Sequence, residues 1–243
     1  MKMTVIGYWG GYPAAGEATS GYLIEHEGFS LLVDCGSAVL SQLQKFIQID
    51  QLDAVLLSHY HHDHIADIGP LQYALLIHRF MGKELKELPI YGHSHDQIEF
   101  DRLSYKNISR GIAYNPEKKI NIGPFSITFI QTVHPVMCYA MRIQAGDQSI
   151  VYTADSSFDK KFISFAQQAD LFICESNLYA NQNGTNAGHM TSEEAGYIAN
   201  KAKVKELLLT HLPHFGEHEQ LIREAEKLYQ GNVTLAKTGY VWG

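Results

Sequence analysis

Cysteine is scarce in this sequence: 243 residues contain only Cys35, Cys138 and Cys174. Each lies in an apolar run (LLVDCG, VMCYAM, LFICES), their number is odd and none are closely spaced. That excludes a disulfide framework and reads the three as small buried core residues. Positive charge is also in deficit, with 19 Lys and Arg against 26 Asp and Glu, a net charge of −7. A protein that holds nucleic acid through its phosphates carries a basic face, so duplex nucleic acid is not an expected partner. A small phosphate-containing substrate stays open, because bound cations can supply positive charge locally. No apolar run reaches the roughly 20 residues of a membrane span. The opening MKMTVIGYWGG passes from a strand-like run straight into a glycine turn, which is not a secretory leader. A cytoplasmic protein without a membrane partner is expected. There is no Pro- or Ser-rich linker, no low-complexity tract and no repeat visible by eye. With 45% hydrophobic residues the chain can bury a sizeable core, and a single domain over residues 1–243 is expected.

What is present is an interleaving of strand and helix patterns. Met3–Trp9, Gly21–His26 and Phe29–Asp34 read as strands, the last two forming a hairpin at Glu27-Gly28. Ser37 reads as an N-cap, followed at helical spacing by Val39, Leu40, Leu43, Phe46 and Ile47. Residues 53–57 are a short apolar run typical of a strand buried on both faces. A helix is expected from about Ile65 to Phe80, with Leu71, Leu75 and Leu76 on one face. Strands are expected at Leu88–Tyr91, at Phe125–Val133 (Ile127, Phe129 and Val133 on one face), at Tyr139–Ile143 and Ser149–Tyr152 around Gly146-Asp147, and at Leu171–Cys174. Thr191 and Glu194 form a capping box before a helix whose buried face is Ala195, Ile198, Ala199 and Ala202. Leu207–Leu209 is a strand, Glu217–Tyr229 a helix and Val233–Ala236 a last strand. Such alternation favours an α/β layered fold.

Histidine is abundant, with 13 residues. Five ligand-type side chains, His59, His61, His62, Asp63 and His64, fall within six positions between a buried strand and a helix. Ligands in α/β folds bind outside the carboxyl ends of strands, so this is where a site belongs. Imidazole with carboxylate suits zinc, manganese or iron better than magnesium or calcium. His59 and His61 alternate on an extended turn and can share one metal, leaving Asp63 and His64 to turn toward a second. His134, Asp155 and His211 each stand at the end of another short apolar run.

The order His-x-His-x-Asp-His, then His134, Asp155 and His211, resembles the metallo-β-lactamase superfamily. The resemblance also takes in Gly10-Gly11-Tyr12-Pro13, the Ser20–Leu23 strand and Leu32–Gly36, and so covers nearly the whole chain. It implies an α/β fold, an αβ/βα four-layer sandwich of two packed sheets flanked by helices. It also implies a dinuclear centre: His59, His61 and His134 on one metal, Asp63, His64 and His211 on the other, and Asp155 bridging. Two zinc ions are the implied cofactors, with manganese or iron used in some branches.

Aspartate at position 155, where the common antibiotic-hydrolysing enzymes place cysteine, disfavours lactam hydrolysis. Gly188-His189-Met190-Thr191 with the helix behind it resembles the end of ribonuclease Z and related zinc phosphodiesterases. There, a histidine at the His189 position protonates the leaving oxygen, and Glu175 is the candidate to orient it. Asp63 is placed with these two among the catalytic residues as well as among the ligands. The long arm with which such enzymes clamp transfer RNA has no room between His134 and Asp155. The resemblance therefore implies a phosphodiesterase acting on a small-molecule or short-nucleotide substrate, by attack of a hydroxide held between two cations. A lactone, ester or thioester hydrolase on the same site is the alternative, and a metal-containing regulatory protein with little turnover a weaker one. His26, His78 and His218 are expected at the surface, His93 and His95 outside the ligand set, and His62 and His214 at the margin of the site. Homodimers occur among similar proteins, and one is entertained here.

Overall fold

The alternating apolar pattern of the first 35 residues folds into three antiparallel strands, β1 (Lys2–Gly7), β2 (Gly21–His26) and β3 (Phe29–Val33). Glu27 and Gly28 both take positive φ (48° and 78°), the two-residue turn whose twist suits a hairpin. The computed structural model describes all of residues 1–243. They divide into two compact units, Met1–Asn115 with Lys237–Gly243, and Pro116–Ala236.

In the first unit, α1 (Val39–Leu43) is shorter than the sequence suggests and is not capped by Ser37. Left-handed Ala38 precedes it, the Ser37 carbonyl accepts from Thr19 N–H (3.0 Å), and Phe46 lies exposed. β4 (Ala54–Leu56) is fully buried. The expected helix from Ile65 is two: a single turn α2 (His62–Ile65), then α3 (Ile68–Phe80). The break arises because neighbouring backbone competes for the helix's own groups. Ser20 N–H donates to Asp63 O (3.2 Å), Cys35 N–H to His64 O (2.7 Å), and Asp67 N–H to Cys35 O (3.0 Å). β5 (Leu88–Gly92), α4 (Gln97–Asp101) and β6 (Ser109–Ala113) follow. α4 and β6 escaped the sequence reading, since Ser-Arg-Gly-Ile-Ala shows no clean period-two pattern at a sheet edge.

The second unit runs β7 (Ile120–Ile122), β8 (Phe125–Gln131), β9 (Tyr139–Ala145) and β10 (Gln148–Tyr152) as an antiparallel meander. Ile127 and Phe129 are buried, but Val133 lies beyond the end of β8 and is exposed, contrary to expectation. Then come α5 (Lys161–Phe165), β11 (Leu171–Glu175), α6 (Ser192–Ala202), β12 (Glu206–Thr210), α7 (His218–Glu226) and β13 (Asn232–Leu235). The Thr191–Glu194 capping box is formed in both directions. The final strand, β14 (Val241–Trp242), returns to the first unit beside β1.

Each unit thus holds one mixed seven-stranded sheet, in the orders β14-β1-β2-β3-β4-β5-β6 and β13-β12-β11-β10-β9-β8-β7. Each sheet has three antiparallel pairings and then three parallel ones. The two units therefore share one plan, although no repeat is visible in the sequence. The candidate ligands follow β4 in the first sheet and β10 and β12 in the second, all strands with parallel pairings, except His134, which follows the antiparallel β8.

Candidate metal centre

In the first unit β4 runs out through Leu57 and Ser58 into His59. Extended backbone continues to His61 (φ −65°, ψ 146°), and α2 then carries Asp63 and His64 inward while leaving His62 exposed. His59 and His64 have no solvent exposure and Asp63 very little. The rings of His59 and His64 lie 4.1 Å apart between centroids, and those of His59 and His61 4.9 Å apart.

The orientation of these rings depends on Asp34, at the end of β3, which the sequence reading did not single out. Its buried carboxylate accepts from Ser58 N–H (2.8 Å) and Ser58 Oγ (2.8 Å), and Oδ2 lies 2.8 Å from His64 Nδ1. A carboxylate only accepts, so His64 Nδ1 donates. Ser58 gives its one hydroxyl proton to Asp34 and so accepts from His59 Nδ1 (3.0 Å). Nε2 of each ring is then the atom that could ligate a metal, and a carboxylate behind a ligand histidine is the usual supporting partner. The available signal was the residue itself: an acid inside the apolar run LLVDCG must find polar partners when buried. Asp63 is held in its turn, accepting at Oδ2 from Gly11 N–H (2.9 Å). Gly11 has φ 72°, which a side chain would resist.

In the second unit His134 follows β8 and its Nδ1 lies 3.0 Å from Gly188 O, which makes Nδ1 the donor and turns Nε2 toward Asp155. A Cβ on Gly188 would stand 2.7 Å from that same Nδ1, so glycine is needed there. Burial pushes the His134 pKa below its ordinary value, against the pull of Asp155, and keeps the ring neutral. Asp155 follows β10 and is buried. Its Oδ2 lies 3.8 Å from His134 Nε2 and 3.4 Å from His211 Nε2. Those separations are long for hydrogen bonds. The 3.4 Å separation is close to that of donors sharing a small cation, since bonds of about 2.0–2.1 Å in tetrahedral geometry place neighbouring ligand atoms roughly 3.3 Å apart, and the 3.8 Å one is somewhat longer. His211 follows β12, and Asn177 Nδ2 donates to its carbonyl (3.0 Å).

Glu175 closes β11 without solvent exposure. Its Oε1 accepts from Ser156 N–H (2.8 Å) and faces His189 Nδ1 at 2.9 Å. His189 retains some exposure at 19% of its side chain, and its ring stacks on His211 at 5.1 Å. Donor atoms of Glu175, His189 and His211 all lie within 4.8 Å of one another.

Backbone strain marks the same places. Asp34 (φ 56°), Ala154 (φ 51°) and His211 (φ 52°) adopt left-handed conformations just beyond β3, β10 and β12. Such conformations persist where the surroundings over-determine them, and they cluster at functional sites. His93 is buried under Tyr60, whose hydroxyl donates to His93 O (2.5 Å), and faces His95 with 5.7 Å between ring centroids. Burial, reinforced by Asp96 and Glu99, raises the Tyr60 hydroxyl pKa, so Tyr60 stays a neutral donor.

Each unit therefore presents imidazoles and buried carboxylates at the carboxyl ends of its strands, a donor set that fits a divalent transition metal. Mixed sheets with ligands in this position define a metal-binding α/β protein. The comparisons narrow the class. The Beta-lactamase superfamily domain matches residues 30–212, and the chain belongs to this superfamily. It is 59% identical to the probable metallo-hydrolase YhfI of Bacillus subtilis, over 100% of this chain and 99% of that one. The crystal structure of that metallo-β-lactamase fold protein superposes with a TM-score of 0.98, at 58% identity over 99% and 98% of the two chains. Human tRNase Z, short form, shares the fold at a TM-score of 0.78 and 20% identity, covering 100% of this chain and 99% of that one. The protein is a metallo-hydrolase of the metallo-β-lactamase fold with ribonuclease Z-like relatives.

Proposed function

We propose that the chain is a phosphodiesterase acting on a small phosphodiester, a nucleotide or a short oligonucleotide, with the two units working as one catalytic domain. In this reading His59, His61 and His134 hold one cation, Asp63, His64 and His211 a second, and Asp155 is shared. Zinc is the first choice, with manganese or iron as alternatives. The carrying observation is Asp155 Oδ2 standing 3.8 Å from His134 Nε2 and 3.4 Å from His211 Nε2, one carboxylate between ligands assigned to different cations.

When bound, two such cations supply Lewis acidity and a water of lowered pKa. The chain's own residues supply the rest. His64 and His59 are locked by Asp34 and Ser58, and Asp63 by Gly11 N–H. His189, with Nδ1 held by Glu175, presents Nε2 to a leaving oxygen and can deliver its proton, a role worth about 10²–10⁴-fold in rate. That pairing favours a substrate with a poor leaving group, such as an unactivated alkoxide. Relatives named ribonuclease Z and a diphosphatase of the PhnP family support chemistry at phosphorus. β9 and β10 join directly at Gly146-Asp147, with no arm to clamp transfer RNA, which supports a small substrate.

Metal content and hydrolysis should be measured together. Asp155→Ala is expected to bind fewer than two cations and to lose activity, and full activity would overturn the shared-ligand assignment. His189→Ala should slow an alkyl phosphodiester by about 10²–10⁴-fold while sparing a nitrophenyl ester. Faster turnover of acyl lactones or S-lactoylglutathione than of any phosphodiester would replace this reading with the acyl-hydrolase one.

A further inference from the structure

The second unit holds a turn that carries no large apolar side chain to anchor it. Residues 183–188 read Asn-Gly-Thr-Asn-Ala-Gly, and Gly184 and Gly188 are its buried members. The turn winds round its own Gly184 carbonyl, which accepts from Ala187 N–H (3.0 Å), Gly188 N–H (2.8 Å) and His189 N–H (3.2 Å). Start and end lie so close that a Cβ on Gly184 would stand 2.0 Å from His189 O. Gly188 O accepts from His134 Nδ1 (3.0 Å), and His189 follows at once. One short turn therefore backs a candidate ligand and carries the candidate acid.

Ser157 grips this turn from behind. It is 4% exposed, and its Oγ lies 3.1 Å from Gly184 O and 3.2 Å from Thr185 O. A hydroxyl has one proton and a carbonyl only accepts, so that proton is shared between the two. The same stretch also grips the chain leading to His134. Ser157 N–H donates to Val133 O (2.9 Å), and Val133 N–H donates to Ser156 Oγ (3.1 Å). Ser156 N–H donates to Glu175 Oε1 (2.8 Å), the oxygen that faces His189 Nδ1 at 2.9 Å.

We propose that Ser157 is a positioning residue that sets His134 and His189 together, by fixing the 184–188 turn against the segment that bears His134. A shift of the turn draws Gly188 O away from His134 and His189 away from Glu175 in one movement. A ligand and a proton donor thus share one support, and ordering either ring favours the order of the other. The catalytic consequence rests on the acid role proposed for His189. The placing of the two rings does not.

Ring N–H exchange in full-length protein labelled with ¹⁵N-histidine tests the placing directly. In Ser157→Ala the Nδ1 protons of His134 and His189 should exchange about 3–10-fold faster, the equilibrium worth of one hydrogen bond, while that of His64, held by Asp34 in the other unit, keeps its rate. Gly184→Ala opens the same turn with Ser157 intact and should reproduce the pattern. In kinetics at saturating zinc, Ser157→Ala should lower kcat for an alkyl phosphodiester by a similar factor, leave KM unchanged and spare a nitrophenyl ester. Added to His189→Ala, it should slow the alkyl ester no further. Unchanged exchange at His134 and His189 in Ser157→Ala overturns the proposal. So does an equal rise at His64, which would mark general loosening, or a fully additive loss in the double variant. If His189→Ala alone spares the alkyl ester, the acid role falls, and the exchange rates still decide the role of Ser157.

Discussion

Asp34 shows how one side chain organises several others. It satisfies Ser58 twice and His64 once, and through Ser58 it sets the tautomer of His59. Asp34→Asn tolerates the left-handed backbone, since asparagine is among the residues that do. It removes the negative charge behind His64 and scrambles the donor pattern. Metal affinity should fall about 10–100-fold, as for other partners of ligand histidines, and competition with a chromogenic chelator would measure it. Unchanged affinity would mean that the site tolerates either tautomer. Gly36 supplies a second test. A Cβ there would meet Asp63 O at 1.9 Å and Thr19 Oγ1 at 2.2 Å. Gly36→Ala must therefore displace the turn carrying Asp63 and His64, and metal binding is expected to be lost before the fold is.

Among the elements, α6 and α7 depend on polar ties as much as on their apolar faces. Glu224 of α7 is nearly buried and accepts from Ser192 Oγ (2.6 Å) at the start of α6, from Ala180 N–H (2.9 Å) and from Gln220 Nε2 (2.7 Å). Burial alone would raise its pKa, but these donors outweigh it and the net shift is downward from 4.5. A carboxylate with a depressed folded pKa stabilises fully above its unfolded pKa, and that contribution is lost as pH falls through the folded value. Denaturant melts should therefore show α6 and α7 weakening below about pH 4.5, a trend that Glu224→Gln largely abolishes. Glu224→Ala leaves the Ser192 hydroxyl and the Ala180 N–H without their acceptor and should cost about 2–3 kcal/mol. Thr191→Ala removes a cap whose N3 bond is 3.2 Å and should cost about 1 kcal/mol.

For the whole molecule, the ligands assigned to each cation come from segments far apart in sequence, so cation binding and folding are linked. A ligand that binds only the native chain stabilises it by mass action, about 2.7 kcal/mol at one hundred times its dissociation constant. Thermal melts with zinc and with a strong chelator should differ accordingly, and Asp155→Ala should narrow that difference. Equal melts would argue that the ligands do not bind a cation in the native state.

The sequence by itself determined what local patterns and chemistry can carry. The β2–β3 hairpin follows from Glu27-Gly28, and the α6 start from Thr191 and Glu194. The α/β class follows from the alternation of strand and helix patterns, and the density of ligand-type residues at 59–64 announced a metal site. All of these depend on neighbours within a few positions. The tertiary structure decided the rest, because partners distant in the chain outcompeted local preference. The α2–α3 break exists since Ser20 and Cys35 engage the backbone of residues 63–67. Ser37 lost its capping role when left-handed Ala38 opened α1. Asp34 became the organiser of His59 and His64 because β3 and β4 pair in parallel and deliver Asp34 and Ser58 side by side. The opening feature of the site, the histidine run, was legible because ligand chemistry is written in residue type. Its orientation was not, because the hydrogen bonds that set a ring's tautomer cross from one strand to the next.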